Sequence, residues 1–597
     1  MIDPNRRFQA GTTRSQRICL LVGLVLLIGK HLLVIHLPIE ARHYNTDDLL
    51  MVRMAEGLVR GNWLGDYSAR TLMKGCFFPM LLAGLHQLGI PYLSALDLLY
   101  GLSCVFFVRQ MRFILKNRIL RLIMFAVLLL DPCSYSLTNF QRVYRSSIIE
   151  IQVLFLFGSY FGLYFRYRSV PSFPTGRKAC LAATLAIFAG LVLWASWNTR
   201  EESGWLLPFV ITASVLVMAE ILRISKHSEK PLRHGLPHLL ILLLPLLILT
   251  TGNHLVSLKN ERVYGERVRL EEVDGNFGKA LKTMYSIKNE ESIPYVTVTR
   301  EKLERLYMYS PSLNQIRPAL EKSLEGYYGA DRNDQDTEVE DGWFFWALKT
   351  AAFNSGAADT LPKSQRYWNA VCLELQAAVE DPDSGLILQK TMPSALMSPW
   401  RSEYADLFPP SMLSALKYLI SYREVAPSIE PSGKAGAEIT RRFERITGNL
   451  ALYSDGFSEA LLSSQNESYK PFYHVMCRLG KVYRTVNKPL ACVSLCAYIV
   501  LLFISARAKK RDLVSGILVI LGMGLSILVF LAGVCYTDLS AFPAIRYFYL
   551  IGAYPLMLGC ESIAVLLLIQ QFLKAKQSED PADGADNRAD DPDALSE

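Results

Sequence analysis

The chain has 597 residues, 51% of them hydrophobic, with a net charge of +8 and a mean hydropathy of +0.20. It is too apolar for a large soluble protein. Much of the basic excess sits in short loops between apolar runs, so the charge is no nucleic-acid signature and no nucleic-acid partner is expected. Eleven Cys form no CxxC pair and no metal-ligand spacing. Most lie in apolar runs as small core residues, while Cys372 and Cys477 fall in a polar stretch where pairing stays open.

The first apolar run, Ile18 to Pro38, follows Arg6, Arg7, Arg14 and Arg17. A basic start before an apolar run also opens a signal peptide. This run is long and no small-residue cleavage site closes it, so it reads as a retained helix. Further runs near the length needed to cross a bilayer give spans at 18–38, 91–110, 119–134, 147–166, 179–197, 204–223, 236–252, 487–505, 513–535 and 547–573. Basic clusters recur at Arg109–Arg121, Arg166–Lys178, Arg223–Arg233 and Arg507–Arg511. By the positive-inside rule these loops and both termini are cytoplasmic, and the alternation closes without a leftover span.

The first outer loop, 39–74, breaks that bias with Arg42, Arg53, Arg60, Arg70 and Lys74. Loop solvation or an anionic ligand accounts for such retention. Cys76–Leu88 is too short to span and reads as a re-entrant or interfacial helix. The polar stretch 253–486 is long enough for its own domain and falls outside. Within it, Thr299 is a plausible N-cap, Ser310-Pro311 a break, and Trp343–Leu348 a helix. The tail 574–597 lacks aromatics and reads as a disordered cytoplasmic segment. The expected class is therefore mainly α, a polytopic helical membrane protein of about ten spans. Its expected parts are a membrane domain (1–252) carrying the external loop, a mainly helical extracytoplasmic domain (253–486), and C-terminal membrane helices (487–573).

Chemistry-bearing residues gather at the outer ends. Asp47-Asp48 opens an amphipathic helix, expected to lie at the outer surface just after the first span, with Leu50, Met54 and Leu58 on one face. Carboxylates at a helix start also complement the dipole, and on this helix alone that explanation is at least as good. Lys74 follows in the same loop. Arg142, Arg145 and Glu150 sit at the outer ends of the third and fourth spans, Thr199-Arg200-Glu201-Glu202 turns between the fifth and sixth, and Arg546-Tyr547 opens the last. Ionisable groups at membrane depth are costly and face a partner or a wet cavity. Each alone is explained by interfacial anchoring or mutual pairing, notably Arg142 and Glu202. Lys30, Asp97 and Glu561 inside spans add to an expected polar interior.

The stretch Asp47-Asp48-Leu-Leu-Met-Val-Arg-Met-Ala-Glu-Gly-Leu-Val-Arg-Gly-Asn-Trp-Leu-Gly, followed by Lys74-Gly-Cys-Phe-Phe-Pro79, resembles the GT-C superfamily of membrane glycosyltransferases. That group includes protein O-mannosyltransferases, lipid A aminoarabinose transferases and many uncharacterised bacterial members. There an acidic pair begins an external helix after the first span, and a Lys-Pro-like segment precedes an interfacial helix. Here the second acid is Asp rather than the commoner Glu, and Gly-Cys replaces the usual Pro after Lys74. The resemblance covers the first 250 residues or so and the last spans loosely.

It implies transfer of a sugar, with inversion, from a polyprenyl-phosphate donor to an acceptor at the outer membrane face. The acceptor is a cell-envelope lipid, polysaccharide or protein. The implied roles are Asp47 as general base, Asp48 as its support, and Lys74, Arg200 and Arg546 on the leaving phosphate, with Arg145 and Glu201 also lining the substrate site. A divalent cation, Mg or Mn, at the Asp pair stays open. The rival readings are a transporter or flippase for a lipid-linked or anionic solute, and a non-catalytic anchor for the external domain. No internal repeat of the transporter kind is evident.

Overall fold

In a computed structural model, residues 4–327, 338–390, 392, 397–429, 436–451, 456–508 and 511–579 are described. The helices run α1 (Pro4–Val34), α2 (Asp48–Val59), α3 (Phe77–Gln87), α4 (Tyr92–Gln110), α5 (Arg118–Leu129), α6 (Ile149–Arg168), α7 (Gly176–Trp197), α8 (Leu207–Ser225) and α9 (Pro231–Tyr264). They continue through α10 (Asn276–Ser286), α11 (Arg300–Tyr309), α12 (Pro311–Gln315), α13 (Arg317–Glu325), α14 (Asp341–Asn354) and α15 (Leu361–Glu380). The chain ends with α16 (Tyr404–Ile420), α17 (Ala437–Thr447), α18 (Gly456–Ala508), α19 (Arg511–Ser540), α20 (Tyr547–Leu550) and α21 (Tyr554–Glu579). Among the described residues there are isolated β-bridges but no strands.

Nine described helices are long and apolar enough to cross a membrane: α1, α4, α6 to α9, α18, α19 and α21. The chain is a multi-pass helical membrane protein. Side chains such as Leu20, Leu243, Phe503 and Leu525 face outward from the bundle, an arrangement that suits lipid rather than water. The apolar window of α6 is 89% buried against 11% for α1, so α6 lies at the centre and α1 at the rim.

The expected span 119–134 is not a full helix. α5 has 12 residues, about 18 Å of rise where roughly 30 Å is needed. The return is completed by an irregular segment, 130–148, of 3-10 and π turns. Most of that segment is buried in protein, the condition under which non-helical backbone is tolerated at membrane depth. Asp131 caps its first turn by accepting from the Cys133 amide at 3.1 Å, and Pro132 fits the first helical position.

One end of the bundle is basic, with Gln570 of α21 holding the backbone of Ile114, Lys116 and Asn117, and Arg223 holding the carbonyls of Tyr167 and Val170. The opposite end carries α2, α3, the irregular segment and the 198–206 turn. Inside the bundle Lys30 pairs with Asp97 at 2.6 Å, the expected polar interior.

The stretch 253–486 does not form one separate body. α9 continues as a single helix to Tyr264, and the 53-residue α18 starts at Gly456. Residues between Phe277 and Leu386 build a second apolar core around the buried Trp368. Residues between Ala415 and Ala451 pack instead into the membrane core. Thr299 caps α11 by accepting from the Lys302 amide, and Ser310 ends α11 and caps α12, as the sequence predicts. Cys372 and Cys477 are both free. The tail beyond 579 lies outside the described residues.

α2 also departs from expectation. It is not a surface helix, because α3 and α17 pack against it and bury Glu56 along with its apolar face. Arg445 of α17 meets the Glu56 carboxylate at 2.7 Å.

Candidate functional site

Asp47 stands at the N-cap position of α2, yet its side chain makes no capping hydrogen bond. The carboxylate therefore stands at the helix start, where it complements the dipole, without serving as a hydrogen-bonding cap. Oδ1 instead accepts from the Tyr144 hydroxyl at 2.8 Å and lies 3.5 Å from Lys74 Nζ. Burial raises the Asp47 pKa, but Lys74, Tyr144, Arg142 and Arg145 outweigh it and hold the carboxyl below the usual range. The carboxylate stays ionised, and 35% of its side chain is exposed.

Asp48 is the opposite case. It is fully buried, and both oxygens are taken by Arg142, whose Nε and Nη2 donate at 2.6 Å each. Burial pushes its pKa up and the guanidinium opposes that shift. The fork geometry is that of a fixed ion pair. A divalent ion at the Asp pair would have Asp47 and solvent to work with, because Asp48 has no free oxygen.

Lys74 is brought here by close backbone approach. A Cβ on Gly75 would overlap the Asn198 carbonyl, so only glycine lets the 74–77 loop lie on the 198–200 turn. The Phe77 amide then donates to the Asn198 carbonyl at 3.0 Å. Burial and Arg145 lower the Lys74 pKa, but Tyr144, Asp47 and Glu201 raise it further, so the ammonium stays charged. Its Nζ also sits 5.6 Å from the Trp346 ring centroid.

Arg145 and Glu201 meet at 2.5 Å, and Arg145 Nε donates to the Tyr144 hydroxyl at 3.0 Å. Arg200 pairs with Glu202 at 2.7 Å and faces the rings of Phe548 and Tyr549. Phe548 stacks on Tyr144 with centroids 5.6 Å apart and also carries the Arg142 guanidinium. Electrostatic coupling of Tyr549 to Arg200, Asp47, Glu202 and Lys74 places these groups in one neighbourhood. Arg546 is not brought in. Its side chain is exposed, and the last span contributes Phe548 and Tyr549 instead.

Six of the seven residues singled out from the sequence thus converge: Asp47, Asp48, Lys74, Arg145, Arg200 and Glu201. Sequence reasoning passed over Tyr144, although it lies between Arg142 and Arg145. It also passed over Glu272, a buried acid coupled to Glu201, Lys74, Arg145 and Glu202. Burial first, then Glu201, pushes the Glu272 pKa well above the usual carboxylate range. No pattern around Glu271-Glu272 signals that role. Chemically, the site offers two ionised, partly exposed carboxylates, Asp47 beside Lys74 and Glu202 paired with Arg200. Comparison with family models, curated proteins and solved structures returns no match for this chain.

Proposed function

We propose that the chain is an integral-membrane glycosyltransferase of the GT-C kind, moving a sugar from a polyprenyl-phosphate donor to a cell-envelope acceptor. In this reading the site end faces outward from the cytoplasmic membrane, the basic end and both termini face the cytoplasm, and the residues around Phe277–Leu386 help hold the acceptor. The single observation that carries the reading is the Asp47 carboxylate, which is ionised, partly exposed, unused as a helix cap and 3.5 Å from Lys74. An anchor for an external domain does not require such a group.

In the reaction, the acceptor oxygen attacks the anomeric carbon while Asp47 takes the hydroxyl proton. The bond from the anomeric carbon to the phosphate oxygen breaks, and its electron pair leaves on the phosphate. Lys74 and Arg200 stabilise that developing charge with charge-assisted hydrogen bonds. Tyr144 and Arg145 orient Asp47, and the Asp48–Arg142 pair fixes the start of α2 beneath it. A single displacement inverts the anomeric configuration. No divalent cation is required in this scheme, because two cations already face the phosphate.

The test is release of polyprenyl phosphate from a polyprenyl-phosphate hexose by the purified protein in liposomes, with an envelope extract as acceptor source. Acceptor-dependent release that disappears in Asp47→Asn supports the reading. Equal release by wild type and Asp47→Asn, or none across a panel of donor sugars, rejects it.

A further inference from the structure

A second group of buried acids lies at the two ends of the segment that carries Arg142, Tyr144 and Arg145. Asp131 and Cys133 sit at its start and Glu150 just after it, on α6. Their ligand atoms lie within 4.8 Å of one another, and all three residues are 0% exposed. Among the described residues, neither oxygen of Glu150 has a hydrogen-bond partner, and Asp131 Oδ2 has none either. The Tyr422 hydroxyl, also fully buried, and the Cys133 thiol lie toward Asp131 and Glu150 without closing a well-formed hydrogen bond. Native proteins pair the large majority of buried side-chain polar atoms. Buried carboxylate oxygens short of donors around one point suit a cation. The nearest fixed charge, Lys30, is already committed to Asp97 at 2.6 Å.

We propose that Asp131, Cys133 and Glu150 bind a divalent transition-metal ion of the zinc class. Two carboxylates and a thiolate match zinc better than magnesium or calcium, which take oxygen ligands. Tetrahedral zinc with bonds of about 2.0–2.3 Å sets its ligand atoms roughly 3.3–3.8 Å apart. The three ligand atoms lie within 4.8 Å of one another, so a bound ion would draw them closer. Binding releases the thiol proton, and any proton shared by the carboxyls, to solvent. The ion joins the start of the irregular segment to α6. It holds in place the backbone bearing Arg142, Tyr144 and Arg145 without touching a substrate, so its role is positioning. This inference is independent of sugar transfer.

The test is the metal content of the full chain purified in detergent, without chelator or affinity metal, measured by plasma mass spectrometry. About one zinc per chain is expected, falling at least about tenfold in Cys133→Ser and in Glu150→Gln. Protein grown with cobalt should show a thiolate-to-cobalt charge-transfer band that Cys133→Ser lacks. If Glu150→Gln fails to fold, Cys133→Ser, which nearly preserves side-chain volume, carries the test. Wild-type protein with no metal above background, or Cys133→Ser with wild-type zinc and the same cobalt spectrum, overturns the proposal.

Discussion

The two groups of charge around the irregular segment follow opposite rules. In the site that holds Asp47, each cation has a carboxylate of its own: Arg142 with Asp48, Arg145 with Glu201, Arg200 with Glu202 and Lys74 with Asp47. In the cluster of Asp131, Cys133 and Glu150, the carboxylates outnumber their partners. The cations and carboxylates of the paired site balance, and its longest pair is Lys74–Asp47 at 3.5 Å, where the proposed function has substrate enter. On the metal proposal, pairing sets geometry in one group and lack of pairing selects a ligand in the other.

Breaking the two-pronged, fully buried Asp48–Arg142 pair should have the largest effect. Asp48→Ala leaves Arg142 buried without its partner and should cost about 3–5 kcal/mol, read as a large drop in thermal midpoint in detergent. Replacing both residues with apolar side chains should recover most of the loss. An unchanged midpoint in Asp48→Ala would mean the pair is not formed.

Asp47→Asn should instead leave stability within about 1 kcal/mol while lowering transfer about 10²–10⁴-fold. Because the Asp47 pKa is depressed, its stabilising contribution is present above the unfolded value and is lost as pH falls through the folded one. The same ionisation predicts that transfer declines only on the acid side. A loss of activity between pH 7 and 8 that Asp47→Asn shares would assign the base elsewhere.

Gly75→Ala tests how the two halves of the site are held together. The added methyl forces the 74–77 loop off the Asn198 carbonyl, which should cost about 1–3 kcal/mol and roughly 10²-fold in transfer. Glu272 gives a smaller effect of opposite sign in pH. Its raised pKa means the native state keeps a proton that the unfolded chain loses above about pH 4.3. Stability therefore falls as pH rises from there toward the folded pKa. Glu272→Gln should flatten that slope in melts between pH 5 and 8. Arg546→Ala, at an exposed position outside the cluster, should change stability by no more than about 0.5 kcal/mol and leave transfer as it was.

Much of this was legible in the residues. Loop charge and apolar run length located nine crossings because both are local signals. The twelve-residue α5 was read as a full span, because the apolar run continues through Leu129 and Leu130 while Asp131-Pro132 ends the helix. Asp47, Lys74 and Arg200 stood out as charges at one membrane end. Tyr144, Phe548 and Glu272 did not, because their parts depend on tertiary packing that no spacing encodes. The surface placement of α2 missed its cover, since α17 lies almost 380 residues further along the chain. Arg546 was misjudged for a related reason. Its charge marked the right turn, but the rings after it are what point inward.

The most direct measurement is a cryo-EM structure of the full chain with polyprenyl phosphate in nanodiscs. The account predicts phosphate density within hydrogen-bond reach, about 3 Å, of Lys74 and Arg200, with the Asp47 carboxylate facing the position of the departing sugar. Phosphate bound at the basic end of the bundle, or beside Arg546 and away from Lys74, would contradict it.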